Sequence, residues 1–206
     1  MIRFCFLEFI IMTTKTIYRY IVYILFFTAA VLGGFWLYYL NSSSLSISPD
    51  RKLQWRDFKL VEKINNRPRI NARCITFIEP TIRNIKQKNG YAKIIVALEV
   101  GIDKELTQVS GSFMARADQP TKNAVLNHEN GHYKIAQIMG YRILEQVKSY
   151  RFHPSSHQAE FDSLIRSQFL EWRKMDQQYD LETTNPRNYE KQEEWDMFFR
   201  TELNRH

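Results

Sequence analysis

The sequence predicts an α+β protein, in which one membrane-spanning helix precedes a small, mainly antiparallel β-sheet and then a helical region. Three observations predict this order. An uncharged apolar run near the N-terminus is long enough to cross a bilayer, segments rich in β-branched residues follow it, and apolar residues recur at helical spacing from residue 120 onward. Hydrophobic residues make up 44% of the 206 residues and charged residues 25%, which excludes a disordered chain and a polytopic transporter.

Residues 1–40 are predicted to form an N-terminal segment with a single transmembrane anchor, whose helix covers about 18–40. The run YIVYILFFTAAVLGGFWLYYL, from Tyr20 to Leu40, contains no charged residue. Tyrosines stand at its start, and Trp36 stands near its end with two more tyrosines. Aromatic residues at both ends are typical of a helix that spans a membrane.

The charges near this run predict its orientation. Lys15 and Arg19 precede it closely, so we expect a cytoplasmic N-terminus, an inner-membrane location, and a body that faces the periplasm or exterior. A cleaved signal peptide is the alternative, but the apolar run continues ten residues past Ala29-Ala30. Met12 is a more usual start than Met1, because Thr-Thr-Lys follows it.

The body is predicted to begin after a short tether. Residues 41–50 (NSSSLSISPD) are polar and rich in serine, which is typical of a linker. Residues 51–206 are then expected to form one domain. Its predicted strands are residues 53–58, 72–79 and 91–100, with Asn89-Gly90 as the turn before the last of them.

Three helices are predicted in the second half of the body. The first begins after Pro120-Thr121 and runs for roughly 30 residues, to a break at His153-Pro154-Ser155-Ser156. Ser155 or Ser156 caps the second helix, and Asn188 caps the last.

The long helix carries the motif H-E-x-x-H, formed by His128, Glu129 and His132. Residues at i and i+4 lie on one face of a helix, so both imidazoles could bind one zinc ion (Zn2+). Zinc lowers the pKa of a water molecule toward about 7. Glu129 could then act as the general base in peptide hydrolysis.

Zinc in such a site needs a third protein ligand. About 20 residues separate His132 from the helix break, so a second helix that packs back antiparallel would place a residue near 171–180 opposite the motif. The carboxylates that fit this geometry are Glu171, Asp176, Asp180 and Glu182. His153 and His157 would lie at the far end of the hairpin, as surface residues.

Three blocks of sequence resemble a bacterial domain family of unknown biological role that is described as zinc proteases of the zincin type. The blocks are Leu53-x-Trp55-x-Asp57-Phe58, Leu126-x-His128-Glu129-x-Gly131-His132-x-x-x-Ala136, and Tyr179-Asp180-x-x-Thr183 followed by Gln192-x-x-Trp195. The resemblance covers roughly residues 51–200. It implies a zincin-like domain over 51–206, zinc binding by His128 and His132, and a catalytic role for Glu129.

The chain departs from the family pattern at Asn185-Pro186, where the family usually has a His-Gly pair. Asp180 matches the pattern and lies within the window that the hairpin predicts, so it is the expected third ligand, with Glu182 second. Tyr179 is a candidate to hydrogen-bond the developing oxyanion. A buried tyrosine that anchors the loop is the alternative role.

We therefore expect a membrane-anchored zinc metalloendopeptidase that acts on peptide or protein substrates. A catalytically inactive zincin-like domain that binds envelope proteins is the alternative, because of Asn185-Pro186. The net charge of +7 is spread over residues of both signs, without a basic run interleaved with aromatics, so no nucleic-acid partner is expected. The oligomeric state stays open.

Overall fold

The computed structural model describes residues 2–64, 70–184 and 188–206, which fall into two compact units. The first unit contains one long helix, α1 (Ile2–Asn41). Its stretch Tyr20–Asn41 is long and apolar enough to cross a membrane, and the side chains there are exposed rather than packed into a core. The apolar N-terminal helix is thus confirmed, and it could be a membrane anchor or a signal sequence.

The second unit, Ser43–His206, has the α+β class that the sequence predicts. Its larger sheet contains β1 (Ser44–Ser48), β4 (Thr76–Lys88) and β5 (Tyr91–Ile102), with β5 in the middle. β4 runs antiparallel to β5, whereas β1 runs parallel to it. The sheet is therefore mixed, and its longest pairing, between β4 and β5, is antiparallel as predicted.

The hairpin between β4 and β5 turns where the sequence predicts. Asn89 and Gly90 both have positive φ, of 50° and 79°, which asparagine and glycine adopt more readily than other residues. Facing residues on the two strands then continue in register from Lys88 and Tyr91 to Thr76 and Ile102, with one irregularity near Ile82.

Strand β1 lies inside the segment predicted as a linker over 41–50. Leu45 and Ile47 alternate with serines, and their side chains pack against the hydrophobic core. Period-two alternation is the pattern of a half-buried strand. The serine-rich composition suggested a tether, but the two apolar residues bring this segment into the sheet.

A second, smaller sheet contains β2 (Lys59–Val61), β3 (Ala72–Arg73) and β6 (Gln108–Ser110), with β6 in the middle. β2 runs parallel to β6, and β3 runs antiparallel to it. β3 is therefore an edge strand of this sheet.

The strand predicted over 53–58 is wrong, because Trp55–Asp57 forms a 3₁₀ turn. The Asp57 carboxylate accepts a hydrogen bond from the Gln54 amide at 2.7 Å and two from the Arg51 guanidinium at 2.6 Å. These contacts close the turn, and extended structure begins only at Lys59. Alternation of apolar residues alone did not distinguish the two conformations.

The described part of this unit also contains four helices: α2 (Gly111–Arg116), α3 (Gln119–Ser149), α4 (His157–Thr183) and α5 (Tyr189–Leu203). The Asp118 carboxylate accepts from the Thr121 amide and caps α3. The Asn188 side chain caps α5 as predicted, by accepting from the Lys191 amide. Ser156 precedes α4, but its hydroxyl binds Glu160 instead of a backbone amide.

The core lies between α3 and the larger sheet. Ile135, Ile138 and Met139 of α3 are almost completely buried, as are Ile94 and Val96 of β5. The opposite flank of α3 packs against α4 and α5. This arrangement leaves His128 and His132 of α3 beside the C-terminal part of α4.

Candidate metal centre

Helix α3 presents the two histidines of the H-E-x-x-H motif side by side. The ring centroids of His128 and His132 are 5.1 Å apart, with the rings nearly perpendicular. One helical turn separates the residues, so their side chains emerge on the same face of α3.

Helix α4 brings Asp180 to these histidines. Asp180 Oδ1 lies 3.3 Å from His128 Nε2 and 3.3 Å from His132 Nε2. His132, the later histidine on α3, also pairs with Asp176, which comes before Asp180 on α4. The two helices therefore run antiparallel. The antiparallel hairpin therefore brings together three ligand atoms that lie within 4.8 Å of one another, as a group that could hold a metal ion.

The two distances from Asp180 to the histidines fit a tetrahedral ion. Bonds of about 2.0–2.1 Å from zinc to nitrogen or oxygen place neighbouring ligand atoms roughly 3.3 Å apart. The distances from the Asp180 oxygen to the two histidine nitrogens match that separation. Two imidazoles and one carboxylate are also a known donor set for catalytic zinc.

The remaining nitrogen of each imidazole has a partner that sets its protonation. Thr183 Oγ1 donates to the Tyr179 carbonyl at 2.6 Å, so toward His128 Nδ1, at 3.1 Å, it acts as an acceptor. Asp176 Oδ1 lies 2.6 Å from His132 Nδ1 and accepts its proton. Both Nδ1 atoms thus carry hydrogen, and a metal ion would take the place of the Nε2 protons that bond Asp180 in its absence.

The charges of the cluster favour a cation. Burial raises the pKa of Asp180, but hydrogen bonds from His128 and His132 outweigh it, so the net pKa lies below its usual value. Burial lowers the pKa of His132, but hydrogen bonds to Asp176 and Asp180 raise it to about 10. The carboxylates therefore hold positive charge between them, which either a proton or a metal ion could supply.

Glu129 is buried beside the histidines and is held from the opposite wall. Its side chain is 5% exposed, and Oε2 accepts a hydrogen bond from the Cys74 amide at 2.6 Å. Burial raises the pKa of Glu129, while the nearby His132 and His128 act in the opposite direction. The Cys74 amide lies just after β3, so this edge strand positions the carboxylate.

Tyr179 lies behind the histidines, where its hydroxyl is occupied. The side chain is fully buried, and its ring stacks on His128 at 4.8 Å. Its oxygen lies 2.9 Å from the His128 carbonyl and 3.0 Å from Gln192 Oε1. This placement favours the anchoring role over the predicted contact with an oxyanion.

Gly131 makes room for that ring. A Cβ atom at this position would lie 2.1 Å from Tyr179 Oη and 2.2 Å from Cζ. Glycine in the middle of α3 costs about 1 kcal/mol of helix stability relative to alanine. The close approach of Tyr179 explains why the motif contains it.

The other carboxylates considered as third ligands lie elsewhere. Glu171 is exposed and pairs with Lys174 at 2.9 Å. Glu182 accepts a hydrogen bond from Trp195 Nε1 at 2.8 Å and one from Gln178. Neither belongs to the candidate metal group.

A cleft of about 660 Å³ opens over the cluster. Its walls come from α3, α4, the start of α5 and the segment around β3, and a smaller pocket of about 230 Å³ adjoins it beside His132 and Asp176. The cleft residues are Ile70, Asn71, Ala72, Arg73, Cys74, Ile75, Ala124, Val125, Asn127, His128, Glu129, His132, Asp176, Asp180, Thr183, Thr184, Asn188, Tyr189 and Gln192.

Some contributors were not identified from the sequence. Asn130, between Glu129 and Gly131, is buried and binds the backbone of Leu53. Its Oδ1 accepts a hydrogen bond from the Leu53 amide at 2.7 Å, and its Nδ2 donates one to the Leu53 carbonyl at 3.2 Å. The pattern Tyr-Asp-x-x-Thr contained a signal for Thr183, since it lies one turn after Tyr179. No sequence signal indicated the Cys74 amide, because a backbone group carries no residue preference.

The structure thus defines an α+β unit with a candidate His-His-Asp metal centre in an open cleft. Residues 107–188, which include all of α2, α3 and α4, match a family model described as a bacterial protein of unknown function (DUF922). No curated protein and no solved structure matches the chain. The description gives no activity, and Asn185-Pro186, which motivated the alternative of an inactive domain, lie outside the described residues.

Proposed function

We propose that this chain is a zinc-dependent peptidase, held at a membrane by its N-terminal helix. The observation that carries the proposal is the placement of Asp180 Oδ1 at 3.3 Å from both histidine Nε2 atoms, with the buried Glu129 carboxylate beside them in one cleft. His128, His132 and Asp180 would hold the metal. Thr183 and Asp176 bind the Nδ1 atoms, so Nε2 is the atom of each ring that would bind the metal.

When bound, zinc supplies a Lewis acid that polarises a carbonyl group and lowers the pKa of water. The proton transfers belong to Glu129. Its carboxylate takes a proton from the attacking water as the new C–O bond forms, and it returns that proton to the amide nitrogen as the C–N bond breaks. The Cys74 amide fixes Oε2, which leaves Oε1 to exchange the proton.

The environment of Glu129 suits this role. A carboxyl group with an ordinary pKa is a weak base at neutral pH, and burial raises the pKa toward the working range of a general base. The two histidines act in the opposite direction and limit that rise. Tyr179 serves as a positioning residue, since its ring supports His128 and its hydroxyl binds the carbonyl of that residue.

The test of the proposal is a charge-removing substitution at the base. The full chain, purified in detergent and loaded with zinc, should hydrolyse members of a broad peptide library. Glu129→Gln should keep its zinc and lose the hydrolysis, whereas Glu171→Gln, an exposed change on α4, should keep both. Equal activity of wild type and Glu129→Gln would refute the assignment, and a wild type without zinc or hydrolysis would favour a non-catalytic binding domain.

We further propose that α1 is an uncleaved, single-pass anchor in the inner membrane, with the second unit facing the periplasm or exterior. The uncharged stretch and the preceding Lys15 and Arg19 support this orientation. Mass spectrometry of the mature protein should detect peptides from before Tyr20. Added protease should digest the second unit in spheroplasts, and its survival there would contradict the proposed orientation.

A further inference from the structure

Arg73 occupies a distinctive place in the cleft. It is the last residue of the edge strand β3, and it immediately precedes Cys74, whose amide holds Glu129. The side chain is half-buried, and it belongs to the lining of the cleft that contains the metal group.

The guanidinium of Arg73 has a buried donor without an acceptor. Its Nε atom is shielded from solvent and makes no hydrogen bond. Within the described ranges, its side chain also forms no ion pair with a carboxylate. Buried polar atoms in folded proteins are nearly always paired, so an orphaned donor in a cleft needs an explanation.

The acidic side chains of the cleft do not supply the missing acceptor. Glu129 is bound to the Cys74 amide, Asp176 to His132 Nδ1, and Asp180 to both histidine Nε2 atoms. A molecule that enters the cleft could therefore supply an acceptor to the Arg73 guanidinium. Arginine stays charged at any physiological pH, and its planar fork matches the two oxygens of a carboxylate.

We propose that Arg73 determines substrate specificity by binding a carboxylate of the peptide near the bond to be cleaved. This inference rests on the proposed peptidase function and adds the substrate class. The carboxylate comes either from an aspartate or glutamate side chain or from the C-terminus of the peptide. Both sources offer the same acceptor to the guanidinium, so they must be separated by experiment.

Three peptide libraries separate them, with the zinc-loaded full chain as the enzyme. The first is an acetylated, amidated hexapeptide library without acidic residues. The second is the same library with one glutamate placed at each position in turn. The third is the neutral library with a free C-terminal carboxylate. Products are identified and kcat/KM is measured by mass spectrometry.

We expect the wild type to prefer the second or the third library over the first by about tenfold or more, as a charge-assisted hydrogen bond allows. Arg73→Gln should abolish the preference, and Arg73→Lys should retain part of it. Arg116→Gln removes the same charge from an exposed site on α2, outside the cleft lining, and should behave as the wild type. Equal rates with all three libraries, or a preference that survives in Arg73→Gln, would overturn the proposal.

A binding measurement distinguishes failure of this inference from failure of the peptidase proposal. If no library is hydrolysed, affinities of the three libraries for zinc-loaded Glu129→Gln decide the matter. Glu129→Gln should then bind carboxylate-bearing peptides more tightly than neutral ones, and the double variant with Arg73→Gln should not. That result supports carboxylate recognition without catalysis. Equal affinities for charged and neutral peptides overturn it.

Discussion

Replacing Gly131 by alanine should destabilise the protein, although the same change at an open helical position stabilises by about 1 kcal/mol. The new Cβ would lie 2.1 Å from the nearest Tyr179 atom, far inside the 3.4 Å at which ordinary contact begins. Either the ring or helix α3 must therefore move by roughly 1 Å to relieve the overlap.

The ring has little freedom to move. Tyr179 stacks on His128 and packs edge-on against Trp195 and Phe199, at centroid distances of 5.3 and 5.7 Å. Overpacking such a site costs about 1–3 kcal/mol, and losing the tyrosine hydrogen bond costs about 1 kcal/mol. The helical gain of about 1 kcal/mol offsets part of this. The net loss in the free energy of unfolding is therefore about 1–3 kcal/mol.

Thermal unfolding of the full chain in detergent, followed by circular dichroism, measures the effect. We expect Tm to fall by about 3–10 °C, and zinc affinity to fall as well, because the displaced ring supports His128. Gly140→Ala is the comparison, since its Cβ would meet a terminal methyl of Val100 at 2.6 Å, and a smaller loss is expected there. A Tm for Gly131→Ala equal to or above that of the wild type would refute the reasoning.

Three further predictions follow from the same structure. Asp180→Asn should lower zinc affinity, measured by chelator competition, by more than the roughly 10–100-fold that loss of a supporting partner costs, whereas Glu182→Gln should leave it near the wild-type value. Thr183→Val should lower that affinity by about 10–100-fold and Thr183→Ser should retain it, so an unaffected valine variant would contradict the role of the hydroxyl. The hydrogen bond from Arg51 outweighs burial and lowers the pKa of Asp57, so stability from this carboxylate is present above about pH 4 and is lost as the pH falls further. Asp57→Asn should therefore lower Tm at pH 7 and flatten the decline of Tm below about pH 4. A decline equal to that of the wild type would contradict this prediction.

The histidine pair and its carboxylate partner could be predicted from the sequence because regular helices have a fixed rise per residue. That rise, together with the helix break near residue 153, predicted a third ligand within 171–180, and Asp180 lies at the expected place. The α+β class followed in the same way from the change of apolar period. Both inferences use local geometry that the chain repeats over many residues.

Other features depend on packing between distant segments, which local pattern does not show. The turn at Trp55–Asp57 forms because Asp57 binds Arg51 and the Gln54 amide, although the apolar residues there alternate as in a strand. The role of Thr183 emerges only when α4 lies against His128, 55 residues earlier. Tyr179 was a candidate for either the oxyanion or an anchoring role, and its burial and its hydrogen bonds favour the anchoring role.

The candidate ligand atoms come from parts of the chain that meet only in the folded protein. Asp180 is contributed by α4 and the histidines by α3, so the unfolded chain retains at most the nearby pair of imidazoles. A metal ion held by all three would therefore bind the folded state preferentially, and its concentration would set the stability of the unit. At free metal one hundred times the dissociation constant, the gain would be about 2.7 kcal/mol. Melting curves recorded against metal concentration would then rank candidate ions by affinity, without any knowledge of a substrate.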